Sequence, residues 1–199
     1  MRHFSRTALL AAIATTLPTL AFAHTGVGAT HGFVHGFGHP LGGLDHMLAM
    51  VTVGIFAWQL GGRAIWAVPA TFVALMAVGG ALGVSGVNVP FVELGIGLSV
   101  VVLGAVVAFG LKAPLAVAMA LAGFFAIFHG HAHGTEMPLD ASGLSYGLGF
   151  MLATGLLHVA GIGLGMAIGR FGETHGEKFV RGAGAAVAVA GIALIGGVL

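Results

Sequence analysis

Residues 91–111 read FVELGIGLSVVVLGAVVAFGL, and Glu93 is the one charged residue among them. An α-helix of about 20 apolar residues is long enough to cross the hydrocarbon core of a bilayer. The rest of the chain has the same character, since 58% of its 199 residues are hydrophobic and 7% are charged. Soluble domains carry about 25% charged residues. We therefore predict an all-α polytopic membrane protein rather than a soluble one.

Five further apolar stretches lie on either side of residues 91–111, and each is long enough to span about 30 Å of hydrocarbon. The six stretches cover residues 43–61, 64–84, 91–111, 113–130, 142–169 and 180–199. The breaks between them are short, so neighbouring helices should be antiparallel. We predict a single domain, residues 24–199, built as a six-transmembrane-helix bundle.

The N-terminus has the three parts of a secretory signal peptide. Arg2 and Arg6 form a positive region, residues 7–20 form a short apolar core, and residues 21–23 read AFA, a typical cleavage site. Cleavage would remove residues 1–23 and leave His24 as the new, outward-facing N-terminus. The alternative is an uncleaved first transmembrane helix.

The distribution of cations predicts which way the chain faces. With His24 outside, every lysine and arginine of the mature chain falls in an inner loop or beside one: Arg63, Lys112, Arg170, Lys178 and Arg181. The outer segments contain none. Since cytoplasmic loops of membrane proteins carry an excess of lysine and arginine, the inner loops are predicted to be cytoplasmic. The absence of a basic run also argues against a nucleic-acid partner.

Glycine is unusually frequent, at 36 residues. Small residues at four-residue spacing let transmembrane helices approach closely. The predicted packing faces are Gly161, Gly165 and Gly169 on the fifth stretch, Gly79 and Gly83 on the second, and Gly182, Ala186 and Ala190 on the sixth.

Histidine is the other unusual residue, with eleven copies against six acids and seven bases. One cluster, residues 31–46, reads HGFVHGFGHPLGGLDH. His39 and His46 are two helical turns apart and can share a face. Asp45 in an apolar span costs about 3 kcal/mol, and no basic partner lies outside, so this pair predicts a bound cation. The alternative is an aspartate that caps a helix or hydrogen-bonds His46.

A second cluster, residues 128–136, reads FHGHAHGTE. His129, His131 and His133 face one side if the segment is extended and spread around a helix if it is not; both remain open. Glu136 adds a carboxylate. Imidazole and carboxylate without any cysteine suit Ni²⁺, Co²⁺, Zn²⁺, Cu²⁺ or Fe²⁺. The alternative is a polar loop that happens to be rich in histidine.

Five other residues are weaker candidates. His24, His31 and His35 could gather a metal at the outer surface. Glu93 is either a further oxygen ligand or a carboxylate at the interface. His158 is either a deeper ligand or a neutral histidine that hydrogen-bonds a neighbouring helix.

The segment HPLGGLDH, residues 39–46, resembles the HPxxGxDH signature of the HupE/UreJ family, and FHGHAHGTE resembles that family's second motif. The resemblance implies a multi-pass permease of the bacterial inner membrane, with nickel or cobalt as its substrate. It further implies an indirect link to the maturation of hydrogenase or urease. The positions it marks as functional are His39, Asp45, His46, His129, His131 and Glu136.

We predict a permease rather than an enzyme, with no prosthetic group. Its partners would be a divalent metal ion and the lipid bilayer, and a homo-oligomer is allowed. The alternatives are a membrane accessory protein or sensor that binds metal without transport, and a His-box membrane metalloenzyme. A third is an intramembrane serine protease that uses Ser85 and His158.

Overall fold

The computed structural model describes residues 32–137, 142–170 and 176–198. The predicted signal peptide, residues 1–23, lies outside these ranges, as do the candidate ligands His24 and His31. These features stay predictions.

Seven α-helices and no strand are present in the described ranges, so the prediction of an all-α fold is confirmed there. The helices are α1 (Gly32–Gly38), α2 (Leu44–Leu60), α3 (Ala64–Val84), α4 (Val92–Phe109), α5 (Leu115–Thr135), α6 (Gly143–Gly169) and α7 (Gly176–Ile195). A 3-10 turn, His39–Leu41, links α1 to α2.

Five of the helices, α3 to α7, are each long and apolar enough to cross a membrane. Helix α2 has 17 residues and follows α1 and the 3-10 turn at a bend of 81°. If this bent pair crosses the membrane as one unit, the number of spans rises to six. The chain is thus a multi-pass membrane protein with five to six candidate spans among the described residues, and the total of six remains a prediction.

The fourth helix is longer than the predicted stretch 113–130, because α5 continues through residues 129–135 and the break before α6 begins after Thr135. Its glycines pack against α3. A Cβ atom on Gly130 would overlap the Met76 carbonyl oxygen, and one on Gly134 would overlap the Gly80 carbonyl oxygen. The two helices can be this close only because these positions have no side chain, so the glycines support the helix rather than loosen it.

Helix α2 lies at the centre of the bundle. It packs against α3, α4, α6 and α7, and buried residues occupy most of its circumference, including the fully buried Val53 and Phe56. A helix that is apolar all round is buried within a large core or a membrane. The outer surface of the bundle is apolar too, since Val159 and Val189 are more than 60% exposed. Apolar groups therefore face outward as they would toward lipid.

The predicted glycine faces of the second and fifth stretches are confirmed. A Cβ on Gly79 or Gly83 would overlap the backbone of α5, and one on Gly165 or Gly169 would lie 2.7 or 2.6 Å from the Trp58 ring. Gly161 packs against the backbone of α2.

The predicted face of the sixth stretch is wrong. A Cβ on Gly182 would meet nothing within 4 Å, and Ala186 is exposed. Helix α7 packs on α4 through Gly184 and Gly191 instead, which are two turns apart. The inward face of α7 is therefore rotated from the predicted one.

The two ends of the bundle differ in charge. One end, the basic end, holds the cations of the α2–α3, α4–α5 and α6–α7 connections; there Arg181 donates to the Phe109 carbonyl oxygen at 2.8 Å. The guanidinium of Arg63 lies 5.9 Å from the Trp66 ring, an aromatic placement that is common at membrane interfaces. The opposite end, the histidine end, brings together α1, the start of α2 and the last turns of α5.

Candidate metal site

The first histidine of the site is held by its neighbour in the chain. In the first turn of α2, the Asp45 Oδ1 atom accepts the backbone N–H of His46 at 2.7 Å and its Nδ1–H at 2.9 Å. The proton of a neutral His46 ring is thereby assigned to Nδ1. The other nitrogen, Nε2, is buried and has no hydrogen-bond partner among the described residues. Asp45 thus orients His46 and leaves a lone pair free for a metal.

Helix α5 turns its histidines to two sides. His129 and His133 are four residues apart, so they share one face, whereas His131 lies about 200° around the helix from His129. The ring of His46 lies beside both rings of that face, with centroids 4.6 Å from His129 and 4.3 Å from His133. Both nitrogens of His133 are buried without a hydrogen-bond partner in the part of the chain that the structure describes.

Three side chains form a compact group at the mouth of the site, which we call the outer triad: His39, His133 and Glu136. His39 Nε2 lies 2.8 Å from Glu136 Oε2, and one potential ligand atom from each residue lies within 4.8 Å of the others. Exposure falls from 56% for the Glu136 side chain to 28% for His39, and His133 is buried. Two imidazoles and a carboxylate suit a divalent transition metal.

The rings continue inward from the outer triad. Centroids are 4.7 Å apart for His39 and His133, 4.3 Å for His133 and His46, and 4.6 Å for His46 and His129. We call these four residues the histidine column. It begins at a partly exposed side chain and ends at His129, which is fully buried.

A deeper histidine lies beyond the column. The Phe72 ring lies beside both His129 and His158, with centroids 5.7 Å and 5.1 Å away. Both nitrogens of the buried His158 lack a hydrogen-bond partner within the described ranges. The structure thus gives no support to the alternative that His158 hydrogen-bonds a neighbouring helix.

Three predicted candidates lie apart from the column or at its edge. His131 Nε2 donates to the Val87 carbonyl oxygen at 2.8 Å, on the far side of α5. Glu93 is exposed in the first turn of α4. His35 is exposed on α1, with its ring 5.9 Å from that of His39.

Two polar residues of the site were not found from the sequence. Ser99 of α4 is fully buried, with Oγ 2.8 Å from His129 Nε2. Tyr146 of α6 lies near His35 and His39, and its buried hydroxyl has no hydrogen-bond partner among the residues described. The only sequence signal for Ser99 was a lone hydroxyl in the apolar stretch 91–111, and such residues commonly just bond their own helix.

Comparison with known proteins agrees with the sequence motifs. A family model described as HupE / UreJ protein matches residues 11–194 of the chain. The chain belongs to the HupE/UreJ family. It is 49% identical over 197 residues to the protein HupE of Rhizobium leguminosarum bv. viciae, and the alignment covers 99% of this chain and 100% of that relative. No solved structure matches the chain.

The two HupE/UreJ motifs, which are far apart in the sequence, meet at the histidine end. The first supplies His39 and His46 to the column, and the second supplies His129, together with Glu136 of the outer triad. The family is associated with nickel and cobalt uptake for hydrogenase or urease. In this member its motifs build one continuous set of nitrogen and oxygen donors.

Proposed function

We propose that this HupE/UreJ protein is a permease that carries Ni²⁺, or Co²⁺, across the bacterial inner membrane into the cell. The observation that carries the proposal is the histidine column, which leads inward from the outer triad. Imidazole nitrogens buried without a hydrogen-bond partner are costly unless something pairs with them. A divalent metal ion would do so.

The order of the side chains suggests a route. A hydrated ion would first exchange waters for His39, His133 and Glu136 at the mouth. Since His133 also lies beside His46, it can hand the ion to His46 and His129 without a gap. From there the ion would move toward His158, along the Phe72 ring that lies beside both His129 and His158. Short steps between weak sites allow the ion to leave each one.

We assign the exit of the route to the basic end. A cavity of about 530 Å³ lies there, and Trp58, Gln59, Lys112 and Arg170 are among the residues that line it. We propose that this end faces the cytoplasm and the histidine end faces the periplasm, in line with the positive-inside bias of the loops. The mature chain would then begin outside at His24, after removal of residues 1–23, and cross the membrane six times.

The main alternative is an accessory protein or sensor that binds metal at the outer triad without moving it. Both roles fit the family better than an enzyme does. For the protease alternative, Ser85 Oγ donates to the Ala81 carbonyl oxygen of its own helix at 2.7 Å, as an ordinary helical serine does. Ser85 therefore supplies a matched control on the same side of the protein.

Uptake of radiolabelled nickel by intact cells tests the proposal. We expect His46→Ala and Glu136→Gln to reduce uptake at least tenfold, because each removes a metal ligand. Even the loss of a residue that only orients a ligand typically lowers metal affinity or activity by about 10–100-fold. Ser85→Ala should match the unaltered protein. Competition by Co²⁺, Zn²⁺ and Cu²⁺ would identify the preferred ion. Unchanged uptake in both His46→Ala and Glu136→Gln would refute the proposal.

A further inference from the structure

Ser99 connects helix α4 to the innermost ring of the histidine column. Its side chain is fully buried, and its Oγ atom lies 2.6 Å from the Ile96 carbonyl oxygen and 2.8 Å from His129 Nε2. The sequence separation of 30 residues between Ser99 and His129 makes this a tertiary contact. It ties the turn of α4 at Ile96 to the ligand face of α5.

Counting protons fixes the direction of these hydrogen bonds. A carbonyl oxygen can only accept, so the single Ser99 proton points to Ile96. The Ser99 oxygen must then accept from His129, which places the proton of a neutral His129 ring on Nε2. The remaining nitrogen, Nδ1, keeps its lone pair. It is buried and has no hydrogen-bond partner in the described chain.

Asp45 performs the same task for His46 with the opposite nitrogen. The carboxylate accepts a hydrogen bond from His46 Nδ1–H, which leaves Nε2 as the nitrogen without a hydrogen-bond partner among the described residues. The two rings are 4.6 Å apart and nearly perpendicular, at 86°. Each of the two histidines therefore has one nitrogen lone pair available, on Nε2 of His46 because of Asp45 and on Nδ1 of His129 because of Ser99.

We propose that Ser99 is a positioning residue, which holds His129 in the Nε2–H tautomer so that its Nδ1 atom can bind the divalent cation. This inference rests on the proposed function for the identity of the cation, but the tautomer itself does not depend on transport. Partners that orient a ligating histidine typically contribute about 10–100-fold to metal affinity.

The alternative is a purely structural role, in which Ser99 only accepts a hydrogen bond from the buried His129 Nε2–H group. Under that explanation the hydroxyl contributes to stability but not to the choice of nitrogen, and its loss would leave metal affinity unchanged. Two pairs of substitutions of similar shape separate these roles. Ser99 and Ser99→Ala differ by the hydroxyl, as do Ser99→Thr and Ser99→Val, and the second pair also covers the case in which Ser99→Ala does not fold.

The experiment uses the full chain in lipid nanodiscs with ¹⁵N-labelled histidine. Nitrogen chemical shifts of metal-free His129, assigned with His129→Gln, should show a protonated Nε2 and an unprotonated Nδ1 in the unaltered protein and in Ser99→Thr. Ser99→Ala and Ser99→Val should show a mixture of tautomers. Calorimetric titration with Ni²⁺ should show that the affinity of the position formed by His46 and His129 falls about 10–100-fold in those two variants.

A protonated Nδ1 in the unaltered protein would overturn the inference, as would unchanged tautomer and affinity in folded Ser99→Ala and Ser99→Val. These results concern binding alone. If the tautomer and affinity change as expected but the unaltered protein moves no metal, the permease proposal fails and the role of Ser99 stands.

Discussion

Two histidines that are two positions apart on α5 have opposite surroundings. The His133 ring lies among His39, His46 and Phe150, while His131 donates a hydrogen bond to the Val87 carbonyl oxygen. The helical repeat separates them, since adjacent-but-one residues project about 200° apart. A ligand role for His131 stays a prediction, and its position favours a structural role.

Substitution by leucine should distinguish the two residues. His133→Leu should abolish nickel binding at the outer triad, because it removes the one imidazole that belongs to the triad and also lies beside His46. His131→Leu should retain nickel affinity and lower the free energy of unfolding by about 1 kcal/mol, because the Val87 carbonyl oxygen loses its donor. Calorimetry and thermal melting in detergent measure both effects. An equal loss of affinity in the two variants would contradict this assignment.

Acid should oppose metal binding. A metal binds the neutral imidazole and not the imidazolium. Nickel affinity should therefore decline as the pH is lowered, because protons compete with the metal for the imidazole nitrogens. Titrations of nickel affinity between pH 8 and 5 check this, and an affinity that rises as the pH falls would contradict it.

The members of the site were largely predictable from residue type. His39, Asp45, His46, His133 and Glu136 stand out because polar residues are rare in such an apolar chain. Their grouping was not predictable to the same degree, because the histidine spacing fits both an extended segment and a helix. Ser99 was not found at all, since its role depends on a contact between two helices.

At the level of elements, the helical state of residues 129–135 decides which rings meet. Had this segment been extended, its three histidines would have shared one face. The contact between α3 and α5 keeps it helical, because Gly130 and Gly134 allow the backbones to touch. The sequence indicated close packing for the second and fifth stretches correctly. It failed for α7, where several small residues on different faces gave no unique choice.

Gly130→Ala should therefore damage the site without removing a ligand. The added methyl group would overlap the Met76 carbonyl oxygen, push α5 away from α3 and lower the free energy of unfolding by about 1–3 kcal/mol. Gly155→Ala on α6 is the control, since a Cβ there meets nothing within 4 Å and alanine should stabilise the helix by up to about 1 kcal/mol. Thermal melting compares them. Equal melting temperatures would mean that the α3–α5 contact can relax freely.

For the whole molecule, metal uptake by the proposed route requires the histidine end to face outward. The chain contains no cysteine, so single cysteines can report on each side without background. A membrane-impermeant maleimide should label Val87→Cys in intact spheroplasts, and it should label Lys112→Cys only after lysis. Both positions are exposed and lie at opposite ends of the bundle. The reverse pattern would mean that the column faces the cytoplasm and that the route runs outward.

A permease must conduct a metal along the histidine column, whereas an accessory protein need only bind one. Purified protein reconstituted in sealed liposomes, with a nickel-sensitive dye inside, tests this most directly. We expect a rise in the internal signal when Ni²⁺ is added outside, and loss of that rise in His133→Leu and His46→Ala but not in Ser85→Ala. Stoichiometric Ni²⁺ binding without any internal signal would contradict the claim and leave a metal-binding accessory protein.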